Sequence, residues 1–263
     1  MQPYKDYITG LENALASNDA LPVLNPNVMK IQQEATRKDP HFSVLASLIR
    51  KDPAMTSQVL KVANAPYYRG REVARTLMDA LTRLGQDEIV NIIMALIYQQ
   101  HFRSKHPVIQ PLQKQLWHHC VNCAIGTLWT ARHLCLKELV PQAFIAGLLH
   151  DMGKLHILSV LEHILTASGE NIQFLTPEID NILDTQHTGL GHRLLTQWRL
   201  PRRYRTIARD HHSKPFDMSD KLLVIVRLAN ALCNSMEQNG TGSDPTEILK
   251  MPEARILNLT EPE

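Results

Sequence analysis

Apolar residues recur every three or four positions along almost the whole chain. Leu77, Leu81 and Leu84 follow this spacing, and the stretch 90–97 repeats it. Residues three and four apart share one face of an α-helix. The alternation of apolar and polar residues that marks half-buried strands is missing wherever the chain is apolar. We therefore predict an all-α protein with no sheet larger than two short strands.

The chain is long enough for one large helical domain or two modest ones. It has 263 residues, of which 44% are hydrophobic and only 5% aromatic, a balance that favours the packing of helices. Residues typical of helix ends recur in the first part of the chain. At Asp52 and Pro53, for example, an N-cap residue precedes proline at the first helical position. The segment from His101 to Pro111 holds two prolines, and we interpret it as a hinge. The predicted domains are an N-terminal helical lobe, residues 1–107, and a second helical lobe, residues 108–263.

Charge and hydropathy argue against a nucleic-acid-binding protein and against a membrane protein. Lys and Arg number 28 and Asp and Glu 26, so the net charge of +2 gives no general attraction to nucleic acid. No apolar run approaches the roughly 20 residues of a membrane span. The first residues lack the basic-then-apolar order of a signal peptide. We expect a cytoplasmic protein without a membrane partner, and the sequence leaves the oligomeric state open.

The four cysteines do not suggest a disulfide framework. Cys120 and Cys123 form a CxxC pair, but no second CxxC follows and both fit a helical pattern. Packing within a helix is therefore favoured over a zinc knuckle or a redox pair.

The stretch FIAGLLHDMGKLHIL, residues 144–158, sets His150 and Asp151 side by side at the end of an apolar run. We expect Gly153 to end that helix. An imidazole beside a carboxylate at a buried helix end suits a cation. The two side chains of a buried His-Asp pair more often form hydrogen bonds with each other. The pair alone therefore does not distinguish a metal or substrate site from a packed core.

Helical spacing selects which of the thirteen histidines point inward. His119 follows Leu116 by three positions on an apolar face, whereas His118 lies on the polar face. The same test places His187 inward and His192 outward. The inward groups, which come from four separate helices, are His119, His150, Asp151, His187 and either His211 or His212.

Several imidazoles that converge in a core are costly unless something shares their lone pairs. A divalent transition metal ion would bind these lone pairs, and iron, manganese, nickel and zinc are all chemically allowed. Helical spacing shows on which side of its helix a residue lies, but not how far it is from residues of other helices. That these side chains lie close together is therefore a prediction.

The motifs of this chain together resemble the HDOD domain, a relative of the HD-type metal-dependent phosphohydrolases. The resemblance covers about residues 20 to 235 and implies that the second lobe is an HD-domain-like helical bundle. The motifs are LPVLNPNVMKIQQEATRKDP, DPAMTSQVLKVANAPYY, ALTRLGQDEIVNIIMAL, LWHHC, GLLHDMGKL, HTGLGHRLLTQWRLP and RDHH.

The resemblance also implies a ligand series. The HD-GYP branch, which cleaves cyclic di-GMP, uses His, His-Asp, His, His-His and a final Asp. The first six positions match His119, His150, Asp151, His187, His211 and His212, which the resemblance therefore implies as metal ligands. At the last position this chain has Asn230 in place of Asp, and the GYP part of the signature is absent. HDOD proteins are generally regarded as signalling modules without a common catalytic activity.

Two functions remain open at this point. The first is a cytoplasmic signal-transduction module that binds a partner protein or a nucleotide ligand and keeps a working or vestigial metal pocket. The second is a metal-dependent phosphohydrolase acting on a phosphate ester or cyclic dinucleotide, in which Asp151 is a ligand and Lys154 steadies the phosphate. Arg202 and Arg203, in the basic run PRRYR, are further candidates for anion binding, although such runs are commonly solvated helix starts.

Overall fold

The computed structural model describes residues 2–17, 24–37, 39–66, 68, 70, 72–169, 177–239 and 248–259. All regular structure within these ranges is helical and no strand occurs in them, so the all-α prediction is confirmed. Residues 21–23, at the start of the first family-like motif, and residues 240–247 lie outside the described ranges.

The helices follow one another in chain order and vary from one turn to seven turns in length. They are α1 (Gln2–Ala16), α2 (Pro26–Ala35), α3 (Phe42–Arg50), α4 (Pro53–Ala63), α5 (Leu77–Leu84), α6 (Gln86–His101), α7 (Ile109–His133), α8 (Val140–Leu149), α9 (Met152–Ser168), α10 (Pro177–Gln197), α11 (Arg202–Asp210), α12 (Lys221–Asn239) and α13 (Pro252–Ile256).

The helices form two compact units. One unit contains α2 to α6 together with Trp198–Leu200, and the other contains α1 and α7 to α13. These units differ in two places from two consecutive lobes that meet near residue 108. Helix α1 belongs to the unit of α7 to α13, and Trp198–Leu200 belongs to the unit of α2 to α6. Burial explains the placement of α1, since Leu11 and Leu15 share a core with Ile157 and Leu161 of α9 and Ile179 of α10.

Trp198 belongs to the α2–α6 unit through both stacking and hydrogen bonds. Its indole stacks on the ring of Tyr98 with the centroids 5.4 Å apart, and both side chains are fully buried. The buried Gln32 amide connects the same two residues, because its Nε2 donates to Trp198 O at 2.7 Å and its Oε1 accepts from Tyr98 Oη at 2.8 Å. A buried amide with both ends bonded fixes one arrangement of these groups.

Side chains cap two helix starts in this unit, and the first of these caps, at Asp52, was predicted from the sequence. Asp52 is the N-cap of α4 and accepts a hydrogen bond from Met55 N at 3.0 Å, with Pro53 in the first turn. Thr76 and Asp79 form a capping box at the start of α5. Such caps satisfy amides that a helix start would otherwise leave unpaired.

The unit that contains α7 to α12 carries the His-Asp motif at a sharp junction. Helix α8 ends at Leu149, His150 and Asp151 form the turn, and α9 begins at Met152. The expectation that Gly153 ends a helix was wrong, because it is the second residue of α9. Gly153 serves close packing instead: a Cβ placed on it would collide with the backbone carbonyl of His187 in α10.

The stretch Val140–Ser168, which spans α8 and α9, is long and apolar enough to cross a membrane by length and composition. In the folded protein, however, 83% of its most apolar window is buried. Apolar helices of this kind are also found in the cores of soluble proteins, so the stretch is compatible with a soluble chain.

Gly153→Ala should destabilise the protein by more than about 2 kcal/mol, because an extra methyl group against fixed backbone forces two packed helices apart. Gly189→Ala is the matched control on α10, since nothing lies within 4 Å of its added Cβ. The control should be neutral or stabilising, as Ala is the better helix former. Urea unfolding of both variants measures the difference, and equal stabilities would contradict this account of the α9–α10 contact.

Candidate metal centre

The carboxylate of Asp151 lies at the centre of the histidine cluster. It is fully buried in the turn between α8 and α9. Oδ1 and Oδ2 face different neighbours. Oδ1 lies 3.2 Å from His211 Nε2 and 3.4 Å from His187 Nε2, and Oδ2 lies 3.7 Å from His150 Nε2, 3.9 Å from His119 Nε2 and 2.9 Å from Lys154 Nζ.

Each of these four imidazoles is held through its other ring nitrogen. The Nδ1 contacts are His150 to Gly147 O at 2.7 Å, His187 to Leu183 O at 2.7 Å, His211 to Ala208 O at 3.0 Å and His119 to Glu237 Oε1 at 3.0 Å. A carbonyl or carboxylate oxygen only accepts, so Nδ1 donates its proton. In a neutral imidazole the lone pair then lies on Nε2, which faces Asp151 in His150, His187 and His211. Metal-binding histidines are commonly oriented in this way. His119 Nε2 also contacts the amide oxygen of Asn230 at 3.0 Å.

Two atoms at the centre are left without hydrogen bonds. His150 Nε2 and Asp151 Oδ1 are buried and have no hydrogen-bond partner. His187 Nε2 also lies 3.4 Å from His211 Nε2. Lone pairs that face a carboxylate and one another repel, and a cation between them removes that cost. The residues present therefore fit a transition metal ion.

The potential ligands fall into two groups on either side of Asp151. We call Asp151, His187, His211 and His212 the His212 group, and His119, Cys123 and His150 the Cys123 group. Within each group the ligand atoms lie within 4.8 Å of one another. His212 is exposed, whereas the remaining members are buried. The cluster can thus hold a metal ion, and the His212 group is the one that reaches the surface.

Asn230 occupies the position where the resemblance predicts a carboxylate. It is buried, and its Oδ1 lies 3.0 Å from His119 Nε2 and accepts from Asn234 Nδ2 at 3.1 Å. The amide oxygen therefore contacts the His119 imidazole without contributing a negative charge. Carboxylates at a cation site raise its affinity for metal, and position 230 does not supply one.

Burial and neighbouring charges act in opposite directions on the titrating groups. Burial lowers the pKa of His150 to about 3 and that of His187 to about 4, which keeps both rings neutral near pH 7. Burial alone would raise the pKa of Asp151, but the nearby His150, His211 and Lys154 hold it well below its ordinary value. Burial likewise opposes the charge on Lys154, yet the Asp151 carboxylate raises the pKa of this lysine.

A cleft of about 210 Å³ opens beside the cluster. Its charged lining consists of the carboxylates of Asp151, Asp180 and Glu237 and the ammonium of Lys154. Lys154 Nζ is already bonded to Asp151 Oδ2 at 2.9 Å. The walls of this cleft are therefore more anionic than cationic, which is unfavourable for a phosphate that enters without a metal ion.

Arg202 and Arg203, predicted as anion-binding residues, do not line this cleft. Arg203 donates to Gln142 Oε1 at 2.9 Å and forms an ion pair with Asp220 at 3.4 Å, whereas Arg202 is exposed at the start of α11. Neither arginine therefore belongs to the cleft beside the cluster, and their role in anion binding stays a prediction.

The helical register places His118 and His192 as their spacing indicates. His118 is exposed and His192 is partly exposed, and neither belongs to the cluster. Sequence reasoning overlooked two residues, Cys123 and Glu237. Both had a signal in the spacing, because Cys123 follows His119 by one turn and Glu237 follows Asn230 by two turns on the same helical face.

The fold and the cluster define an all-helical protein with a buried His-Asp centre. Residues 21–214 match the HDOD domain family. The match covers most of the chain, and the chain belongs to this family.

Two solved structures have the same fold. An HDOD domain protein with unknown function from Geobacter sulfurreducens has a TM-score of 0.72 at 20% identity, with 97% of this chain and 89% of that chain covered. A putative metal-dependent phosphohydrolase from Shewanella amazonensis SB2B has a TM-score of 0.65 at 20% identity, with 98% and 99% covered.

One curated relative, an uncharacterized protein of Treponema pallidum (strain Nichols), is 25% identical over 202 residues. The alignment covers 75% of this chain and 38% of the relative's own length.

The pKa shifts predict how the metal-free protein responds to acid. Between their folded pKa values and the ordinary value of 6.5, His150 and His187 bind fewer protons in the folded chain than in the unfolded chain. The free energy of unfolding should therefore rise as the pH is raised from 4 to 6.5, by up to about 1 kcal/mol per pH unit for each histidine. Urea unfolding with a chelator present measures this slope.

His118→Gln is the control for the pH series, because it removes an exposed histidine outside the cluster. This variant should keep the full slope. A stability that is flat between pH 4 and 6.5 in the unchanged chain would show that His150 and His187 are not held neutral.

Proposed function

We propose that this protein is a cytoplasmic signal-transduction module of the HDOD type whose His-Asp cluster binds a divalent transition metal ion. The observation that carries the proposal is the shared orientation of four imidazoles, each tied at Nδ1 and turned with Nε2 toward Asp151. Three imidazole nitrogens and a carboxylate oxygen in the His212 group form a donor set that iron, manganese, nickel and zinc all accept.

Within this site the residues have distinct tasks. Asp151 supplies negative charge, and His187 and His211 supply nitrogen ligands whose directions are fixed by Leu183 O and Ala208 O. The exposed ring of His212 closes the group on the solvent side. A bound divalent ion would supply Lewis acidity at this position.

A regulatory role is supported over a catalytic one by the charges around the site. Two-metal phosphodiester chemistry needs a second, well-held cation, and the Cys123 group faces the neutral amide of Asn230. Lys154, the proposed phosphate-binding residue, is engaged by Asp151 at 2.9 Å. In the unloaded protein its charge is therefore directed to the carboxylate and away from an incoming phosphate.

The cleft beside the cluster favours a partner protein over a nucleotide as the signalling ligand. Its volume of about 210 Å³ lies below the roughly 300 Å³ at which pockets for drug-sized ligands begin. Asp180 and Glu237 at its rim would repel a polyanionic nucleotide. We therefore propose that the module signals through contacts with another protein.

Metal binding is tested by titrating the tag-free chain with Mn²⁺ and counting bound ions by electron paramagnetic resonance. About one ion should bind per chain, because nitrogen and carboxylate ligands of the His212 group suit Mn²⁺. His187→Ala should weaken binding about 10-fold or more, while His192→Ala, a matched control on α10 outside the cluster, should not. Failure of the unchanged chain to bind Mn²⁺ would refute the proposal.

A phosphohydrolase is the second candidate, because Asp151 presents one oxygen to each ligand group, as a bridging carboxylate does. Asn230→Asp restores the carboxylate that the resemblance predicts, so a second Mn²⁺ should bind this variant more tightly if that ancestry is real. An unchanged number of bound ions would count against the ancestry. If the unchanged, Mn²⁺-loaded chain hydrolyses bis(p-nitrophenyl) phosphate and the Asp151→Asn variant does not, the catalytic proposal replaces the regulatory one.

A further inference from the structure

The basic helix α11 contains an arginine with a buried donor that is not used within the chain. Arg205 is partly exposed, but its Nε atom is buried and has no hydrogen-bond partner in the described part of the chain. A guanidinium is charged at every physiological pH, and a buried N–H group without an acceptor is destabilising. The Nε of Arg205 is therefore available to an acceptor from outside the chain.

The packing of α10 on α11 brings two further basic side chains to the same surface. A Cβ added to Gly191 of α10 would lie 3.6 Å from the Cβ of Ala208 in α11, so the two helices are in close contact there. His192 directly follows Gly191 on α10. Arg209 directly follows Ala208 on α11 and lies one turn after Arg205, on the same side of the helix.

The pKa of His192 reports the charge at this contact. Burial lowers this pKa, the nearby charges of Arg209 and Arg205 lower it further, and the carboxylate of Asp210 raises it by less than either arginine lowers it. Positive charge therefore predominates where α10 meets α11.

The two arginines differ in how far their donors are already used. Arg209 donates from Nε to Asp210 Oδ1 at 2.7 Å and from Nη2 to Asp210 Oδ2 at 2.8 Å, so a carboxylate already fills its fork of donors. Arg205 has no such carboxylate among the residues that the structure describes. A guanidinium fork matches two oxygens of a carboxylate or a phosphate. The fork of Arg205 is therefore open to such a ligand.

We propose that Arg205 and Arg209 form an oxoanion site on the α10–α11 surface that binds a dianionic phosphate group. The fork of Arg205 holds two phosphate oxygens, and the charge of Arg209 attracts a third. A carboxylate has only two oxygens, both of which the Arg205 fork would use. Phosphate therefore makes better use of two arginines one turn apart. Its source is either a free phosphate ion or a phosphate monoester on a partner molecule.

This oxoanion site goes beyond the proposed function, because it requires no metal ion. Neither Arg205 nor Arg209 lines the cleft beside the metal cluster. The site also differs from the anion-binding pair that the sequence predicts in the same basic run. Of that pair, Arg203 is bonded to Gln142 and Asp220, and Arg202 is exposed at the start of α11.

Titration of the metal-free full chain with inorganic phosphate, followed by nuclear magnetic resonance at constant ionic strength, tests the assignment. The unchanged chain should show saturable shifts of the amide signals of α10 and α11. Arg205→Ala should weaken binding about 10-fold or more, and Arg205→Lys should recover only part of this loss, since an ammonium keeps the charge without the fork. Arg202→Ala is the matched control from the same helix and should bind phosphate like the unchanged chain.

The imidazole of His192 provides a second readout, which an arginine with a purely structural role would not change. Because the two arginines lower the pKa of His192, an anion bound to them should raise it. Sulfate, which stays a dianion throughout the titration, should raise the pKa of His192 in the unchanged chain and not in Arg205→Ala. Ring signals of His118, which is exposed on α7, should not respond to sulfate.

A phosphoserine blocked at both ends distinguishes the two sources of the phosphate group. Binding at least as tight as that of inorganic phosphate assigns the site to phosphorylated side chains of a partner, and weaker binding assigns it to the free ion. Both results support an oxoanion site.

The proposal is overturned if neither probe binds, or if Arg202→Ala weakens binding as much as Arg205→Ala does. An unchanged pKa of His192 in saturating sulfate also overturns it. Arg205→Ala should unfold at the same urea concentration as the unchanged chain, because no hydrogen bond of Nε is lost. The same variant should still bind Mn²⁺, so failure of the oxoanion site and failure of the metal site are distinguishable.

Discussion

The buried carboxylate of Asp151 is the constraint on which the rest of the site depends. An ionised group without exposed surface is expensive to keep in a protein core unless it is paired. Here Lys154 supplies one formal positive charge at 2.9 Å, and the imidazoles around the carboxylate point lone pairs at it. A cation bound among these groups would therefore relieve the repulsion between the lone pairs and the carboxylate.

Close helix packing holds the imidazoles in this arrangement. A Cβ on Gly147 would lie 2.7 Å from Ala124 Cα, so this glycine lets α8 approach α7, the helix that carries His119. Gly153 lets the start of α9 approach α10 at the carbonyl of His187. The turn between α8 and α9 then projects His150 and Asp151 into the space between their neighbours. Local backbone geometry thus sets the ligand distances.

Sequence periodicity predicted the fold class and the inward face of each ligand helix, because both depend on the simple repeat of an α-helix. It could not predict which ring nitrogen donates a hydrogen bond, since the acceptors of Nδ1 include backbone carbonyls that no side-chain pattern reveals. The role of Gly153 was mistaken for the same reason: a glycine that ends a helix and one that permits close contact look alike in sequence. Placement of α1 and Trp198 depends on tertiary burial, which spacing does not report.

The orientation of the imidazoles can be measured without any metal. Long-range proton–nitrogen correlation spectra of the metal-free chain, labelled with ¹⁵N in its histidines, report which ring nitrogen carries the proton. The account predicts the Nδ1–H form for His150, His187 and His211 at pH 7, followed by a shift of their Nε2 signals when Zn²⁺ is added. The Nε2–H form at these three residues would contradict it, because the lone pairs would then face the backbone and not Asp151.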